Sequence, residues 1–195
     1  MTKSIVIIQG HPDPQGKHFC HALAEAYVDG ARAAGHEVKL IDIAQIDFPV
    51  LRSRESFDHE APPESIQNIQ QAILAAEHLV FIYPLWLGTM PAYLKAFLEQ
   101  VFRPGFAANA TAEGQPWKKL LTGRTARVII TMGMPAFIYR WYYLAHSLKS
   151  LERNILGFCG IGPIKDTLIG MVDGMDSTKR NNWLNKLRLM GAKGE

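Results

Sequence analysis

Cysteine is scarce in this chain. Cys20 and Cys159 stand far apart in no Cys-x-x-Cys pattern, which leaves no disulfide framework and reads as reduced thiols in a cytoplasmic protein. Long apolar runs are missing as well. The longest uncharged stretch, Leu79 to Leu94, is broken by Pro84 and Pro91 and falls short of the ~20 residues that cross a bilayer. The four apolar residues Ile5 to Ile8 are too few for a signal peptide. Charge of one sign is missing too. The 21 basic and 18 acidic residues leave +3, too little and too scattered for a nucleic-acid surface, though compatible with an anionic ligand. There is no repeat, linker or low-complexity tract.

What is present is an ordinary apolar content, 48% of 195 residues, enough to bury a core and to expect one domain over residues 1–195. Four short apolar runs, Ile5–Ile8, Val38–Ile43, Leu79–Tyr83 and Ala126–Thr131, are nearly continuous rather than alternating. Strands of that kind belong to a parallel sheet covered on both faces. A fifth run, Ile164–Val172, is interrupted by Lys165, Asp166 and Gly170. Helical patterns lie between and after them: His18–Ala34, ending at Gly35, then Glu64–Ala76, Pro91–Phe102, Tyr139–Leu156 and Ser177–Met190. Pro91 suits a first helical position, and Asp176 or Ser177 suits a cap. Alternating strands and helices predict an α/β fold, a doubly wound parallel sheet with helices on both faces. The third helix carries an apolar stripe of Leu94, Phe97, Leu98, Val101 and Phe102. That breadth fits either a dimer interface or a deeply buried helix. Two connections, Ala44–Pro63 and Arg103–Gly123, run about twenty residues where about 4–6 is usual, a length associated with function or mobility.

In an open parallel sheet, ligands bind beyond the carboxyl ends of the strands where strand order reverses. Three loops should meet there. In the first, "GHPDPQGKH", Gly10 and Gly16 allow close backbone approach, the helix start offers N–H groups to an anion, and His11, Lys17 and His18 add donors. A tight prolyl turn with solvated side chains is the plainer alternative. The spacing of His11, Asp13, His18, Cys20 and His21 suits no standard zinc pattern. The second loop, "YPLWLGTMPAYLK", places Trp86 and Leu87 at a strand exit, where they either cover a flat heteroaromatic ring or plug the core. The third, "TMGMPAFIYRWYYLAHS", supplies Gly133 and sets Tyr139 and His146 seven residues apart on one helical face. A phenol and an imidazole there can polarise a substrate oxygen, or both can be ordinary buried residues. "GFCGIG" at Gly157–Gly162 follows a helix and so lacks the context of a dinucleotide fingerprint. No serine sits in a Gly-x-Ser-x-Gly elbow.

Taken together, "GHPDP…HFCHAL", "YPLWLGTMPAYLKAFLEQVFRPGFA" and "TMGMPAFIY" resemble the flavodoxin-like NAD(P)H:quinone oxidoreductases, the group that includes the DT-diaphorase type and bacterial relatives. The similarity runs from about Lys3 to Val172, and the second segment is its specific part. The resemblance implies a five-stranded parallel sheet in the order 2-1-3-4-5. It implies a non-covalent flavin, FAD or alternatively FMN, with its phosphate near His11, Lys17, His18, Phe19 and Cys20. Pro84, Leu85, Trp86 and Leu87, with Thr131, Met132, Gly133 and Met134, would line the ring. Tyr139 and His146 would be catalytic, Phe106 and Tyr139 would meet the substrate, and no metal is called for. A homodimer and a ping-pong cycle from NAD(P)H to a quinone follow from the same resemblance. The chain departs from the family at Cys20, where an asparagine is usual, at Met132–Met134, which replace a glycine-richer loop, and at His146, one residue later than the family's histidine. Lys17, Arg52, Arg54 and Lys118 are the cations that would favour NADPH. A one-electron carrier would need an acidic docking face, which +3 does not supply. The alternative is a regulatory flavin-binding ancillary subunit of a potassium-efflux-type transporter.

Overall fold

A computed structural model describes residues 2–109 and 117–195. Strands β1 (Ser4–Gln9), β2 (Glu37–Asp42), β3 (His78–Pro84), β4 (Thr125–Thr131) and β5 (Ile164–Ile169) form one parallel sheet in the order β2-β1-β3-β4-β5. The four principal helices are α1 (Phe19–Ala33), α2 (Glu64–Ala75), α3 (Ala92–Val101) and α4 (Ser177–Lys193). This is the doubly wound arrangement that the strand pattern predicts, in the strand order that the resemblance implies.

The composition of the inner strands β1, β3 and β4 follows from burial on both faces. Strand β2, expected to be buried likewise, is an edge strand that leaves Glu37, Lys39 and Leu40 exposed. Ile5, Ile7, Val80, Ile82 and Ile129 pack with Leu23, Tyr27 and Leu187 under α1 and α4. The intervening Val6, Ile8, Leu79, Phe81, Val128 and Ile130 pack with Ile66, Ile73, Leu94 and Phe97 under α2 and α3. A strand whose successive side chains point to opposite apolar layers has little room for polar residues, hence the nearly continuous runs. Arg127 in β4 is accommodated by donating to the Glu195 carbonyl (2.8 Å) and Thr167 Oγ1 (3.0 Å). On the first face α1 and α4 cross at two glycines. A Cβ at Gly30 would lie 1.9 Å from the Arg188 carbonyl oxygen, and one at Gly191 would lie 2.1 Å from that of Tyr27. α4 starts where the Asp176 side chain accepts the Lys179 N–H at 2.8 Å.

Several boundaries differ from expectation. β5 stops at Ile169, because Gly170 and the left-handed Met171 (φ 58°) turn the chain out of the sheet. Pro91 caps α3 with an extended ψ of 143° instead of joining it. No single helix spans Tyr139–Leu156. Two wide turns, Ile138–Tyr142 and Ser150–Leu156, flank a short helical piece, His146–Lys149, with Leu144 and Ala145 left-handed. The chain bulges around the buried Tyr139, whose carbonyl accepts the Ala145 N–H and whose hydroxyl accepts the Leu148 N–H, both at 3.0 Å. The stripe on α3 is buried in the chain's own core, with Leu94, Phe97 and Val101 at 0% exposure. The connection 44–63 is pinned by Arg103, whose Nη1 donates to the carbonyls of Ser56 (2.7 Å) and Glu60 (2.6 Å). Of the connection 103–123, residues 110–116 lie outside the described residues; Ala108–Asn109 and Lys118–Lys119 pair as a short antiparallel ribbon. Among the described residues no helix is long and apolar enough to cross a membrane.

Candidate functional site

The ladder of the sheet continues one residue past its strands and so fixes where the loops leave. Gly10 N–H donates to the Ile82 carbonyl (2.7 Å), Leu85 N–H to that of Thr131 (2.8 Å), and Met132 N–H to that of Ile169 (2.9 Å). Gly10 has no room for a side chain: a Cβ there would meet Leu94 Cδ2 at 2.8 Å and Tyr83 Cβ at 3.0 Å. Above this ledge, at the carboxyl edge, lies a cavity of about 430 Å³. Its walls come from the exits of β1, β3, β4 and β5 and from α4.

The β1 exit supplies His11, Lys17, His18, Phe19 and Cys20. Gly16 (φ 70°) and Lys17 (φ 68°) are both left-handed and swing the chain into α1. No side chain caps that helix, and the backbone N–H groups of Lys17, His18, Phe19 and Cys20 make no hydrogen bond among the described residues. Four unclaimed donors beside a lysine at a helix start suit an anion. Two imidazoles stack here, His11 on His18, with centroids 3.8 Å apart at 15°. His18 Nε2 pairs with Asp13 Oδ2 at 2.6 Å, and that hydrogen bond holds the Asp13 carboxyl below its usual range. Asp13 N–H in turn donates to His11 Nδ1 at 3.2 Å. Burial, followed by repulsion from His18 and His21, pushes His11 down to about 4, so it is neutral at pH 7 and its Nε2 carries the proton. Cys20 is buried with its Sγ 3.2 Å from Thr131 Oγ1, and burial pushes the thiol up to about 12.

The β3 exit contributes Pro84, Leu85 and Trp86. Trp86 and Thr89 exchange backbone hydrogen bonds of 2.8 and 2.9 Å across Leu87-Gly88, both left-handed, which closes a two-residue turn of the primed type. Trp86 stands edge-on to His11 (5.6 Å, 83°) and is 47% exposed, so it walls the cavity and does not plug the core. The β4 exit adds Thr131, Met132 and Gly133.

All the expected cofactor-binding residues therefore line one cavity except Leu87, fully exposed on the turn, and Met134, which packs against the core. The expected catalytic and substrate-binding residues are placed elsewhere. Tyr139 is 1% exposed in the core, and His146 is exposed and does not line the cavity. Phe106 lines a different hollow with Phe57, Asp58 and Arg103. Of the cations considered for NADPH, Lys17 alone lines the site. Sequence reasoning missed Val172, Asp173 and Arg180, which close the cavity from the β5 exit and α4. The signal available was topological, since β5 ends beside β4 and its exit must share the same edge. The Arg180 guanidinium donates to the carbonyls of Val172 (2.8 Å) and Met175 (3.1 Å) and lies over the Phe19 ring at 5.1 Å. Among the described residues no group of three or more histidine, cysteine or acidic side chains is arranged to hold a metal.

Comparison with known proteins agrees with this fold. The model of a family described by its flavodoxin-like fold matches residues 3–188. An NAD(P)H oxidoreductase of Haemophilus influenzae, described as uncharacterized, is 28% identical over 179 residues, covering 90% of this chain and 87% of its own. An FMN-dependent NADH:quinone oxidoreductase of Macrococcus caseolyticus is 26% identical over 194 residues, covering 87% of each. Among solved structures, an NAD(P)H:quinone oxidoreductase of Methanothermobacter marburgensis superposes with a TM-score of 0.81 at 24% identity, covering 99% of this chain and 97% of its own.

Proposed function

The chain belongs to the flavodoxin-like fold family, and we propose that it is a flavin-dependent NAD(P)H oxidoreductase that reduces quinones or similar planar electrophiles by two electrons in a ping-pong cycle. The observation that carries this reading is one cavity at the switch point of the sheet that joins an anion cradle to a flat apolar wall. The relatives named above for NAD(P)H and quinone chemistry support it.

The residues fit a phosphate-bearing flavin. The free N–H groups of residues 17–20 and the Lys17 ammonium would hold the phosphate, common to FMN and FAD. Pro84, Leu85 and Trp86 would bear on the ring, and the N–H groups of Gly133 and Met134, unclaimed among the described residues, would meet its polar edge. A bound flavin would supply the hydride-transfer chemistry between NAD(P)H and a quinone. The protein's own part is electrostatic and steric. Donors fixed in advance stabilise negative charge arriving with the hydride, and neutral His11 holds Trp86 upright beside the open side. The exposed rim at Trp86 and Leu87 leaves entry for one planar molecule at a time, which suits alternation of donor and acceptor. We further propose a homodimer that buries Phe137, Trp141 and Tyr142, which are 66%, 73% and 78% exposed in the single chain.

Purified protein should show a flavin spectrum, or acquire one on addition of FMN or FAD. It should bleach anaerobically with NADH or NADPH and regain colour with menadione. A protein that takes up neither flavin overturns the reading. Sedimentation at micromolar concentration tests the dimer, which a single species of 21.8 kDa would disprove.

A further inference from the structure

Among the described residues Asp173 is the only carboxylate lining the cavity; the other charged or titratable side chains there are His11, Lys17, His18, Cys20 and Arg180. An acidic group is out of place in a site built for an anion unless the ligand presents a donor to it. Its position is enforced. The β5 exit is laid along the β4 exit by two hydrogen bonds, Met171 N–H to the Met134 carbonyl and Val172 N–H to the Met132 carbonyl, both at 3.2 Å. Met171 takes a left-handed φ of 58° to make this turn, a costly conformation for a long side chain. The carboxylate then stands directly over Gly133, with Oδ2 2.5 Å from where a Cβ would be. Asp173 has no hydrogen bond or ion pair among the described residues, while Arg180 is engaged with the Val172 and Met175 carbonyls.

The hydrogen-bonding inventory of this corner is therefore lopsided. The Met132 and Met134 carbonyls accept from the β5 exit, the N–H groups of Gly133 and Met134 are unclaimed among the described residues, and the one charged acceptor beside them is the exposed Asp173 carboxylate. A wall that offers donors around a strong acceptor matches an imide edge, a ring N–H flanked by two carbonyls, which the flavin pyrimidine ring carries. Resting on the flavin reading above, we propose that Asp173 is a specificity-determining residue that accepts the imide N–H of the ring and whose negative charge opposes reduction of the bound flavin. The carboxylate favours the oxidised ring twice, through a charge-assisted hydrogen bond and by repelling the charge that reduction brings.

The test uses the whole protein with FMN and with 3-methyl-FMN, which lacks the imide N–H, each followed by quenching of flavin fluorescence. Wild type should bind FMN at least tenfold more tightly than the methylated probe. Asp173→Ala should lose that discrimination by weakening FMN alone. Asp173→Asn, which removes charge but keeps an acceptor, should raise the ratio of affinities for reduced and oxidised flavin about tenfold, a rise of about 30 mV in a two-electron midpoint potential. Equal wild-type affinity for the two probes, or an unchanged potential in Asp173→Asn, overturns the assignment. Failure of wild type to bind either probe overturns the flavin reading itself.

Discussion

His11 and His78 are two buried imidazoles with a shared consequence. His11 is lowered to about 4 by burial and then by His18 and His21, and His78 is lowered to about 4 by burial and then by Lys3 and Arg127. An unfolded histidine titrates near ~6.5, so between that pH and about 4 the unfolded chain binds more protons than the folded one. Stability from this source is complete above about pH 6.5 and is lost as pH falls toward 4, with a slope of up to about 2.7 kcal/mol per pH unit for the two groups together. Urea midpoints at pH 7 and pH 5 measure it. The midpoint should drop at pH 5, and His78→Gln should drop less; equal drops would clear His78 of any part. The cysteines give a second outcome. Both thiols are buried and pushed up to about 12, so a disulfide reagent at pH 8 should label neither in the native protein and both in denaturant. Residues near one another in sequence, such as Gly10, His11 and Lys17, were legible as a site because local conformation places them. Asp173 was not, since only the pairing of β4 with β5 brings it to Gly133.

At the scale of elements, the turn at Leu87-Gly88 sets an apolar, fully exposed side chain in a left-handed conformation. Leu87→Gly should relieve that strain and raise stability by about 1 kcal/mol, while lowering quinone turnover through loss of the rim. Thermal melts and steady-state kinetics on the same preparation decide it, and a variant that melts lower disproves the strain. The crossing of α1 and α4 tolerates no such change. Gly30→Ala must push apart two helices already in backbone contact, and should cost about 3 kcal/mol in chemical denaturation. The sheet was legible in the sequence because a strand buried on both faces is a continuous apolar run, a pattern with few imitators. The stretch Tyr139–Leu156 was misread as one unbroken helix because its apolar spacing suits one, whereas the chain breaks at Tyr143–Ala145. Burial of Tyr139 and the hydrogen bonds it takes override that preference, and periodicity carries no trace of a bulge made by one side chain.

For the molecule as a whole, a ligand that binds only the folded state adds to its stability by mass action. Flavin at 100 times its dissociation constant should contribute about 2.7 kcal/mol, and for a chain of this size that is roughly 5–10 °C in the melting midpoint. Calorimetry with and without FMN tests it, and riboflavin, which lacks the phosphate, should give a smaller shift if the N–H groups of residues 17–20 hold that group. The parallel sheet and the edge that carries the cavity followed from pattern and topology, and the strand order from the family resemblance; the choice of acceptor did not, since it depends on exposed side chains whose positions no periodicity fixes. The bonds that carry the ladder past its strands, at Gly10, Leu85 and Met132, have a last consequence. They make the threshold of the hollow belong to the same cooperative unit as the interior, so deuterium should enter there only when the entire protein unfolds. The lip above, around Trp86 to Thr89, can be recarved for new acceptors while that sill stays put.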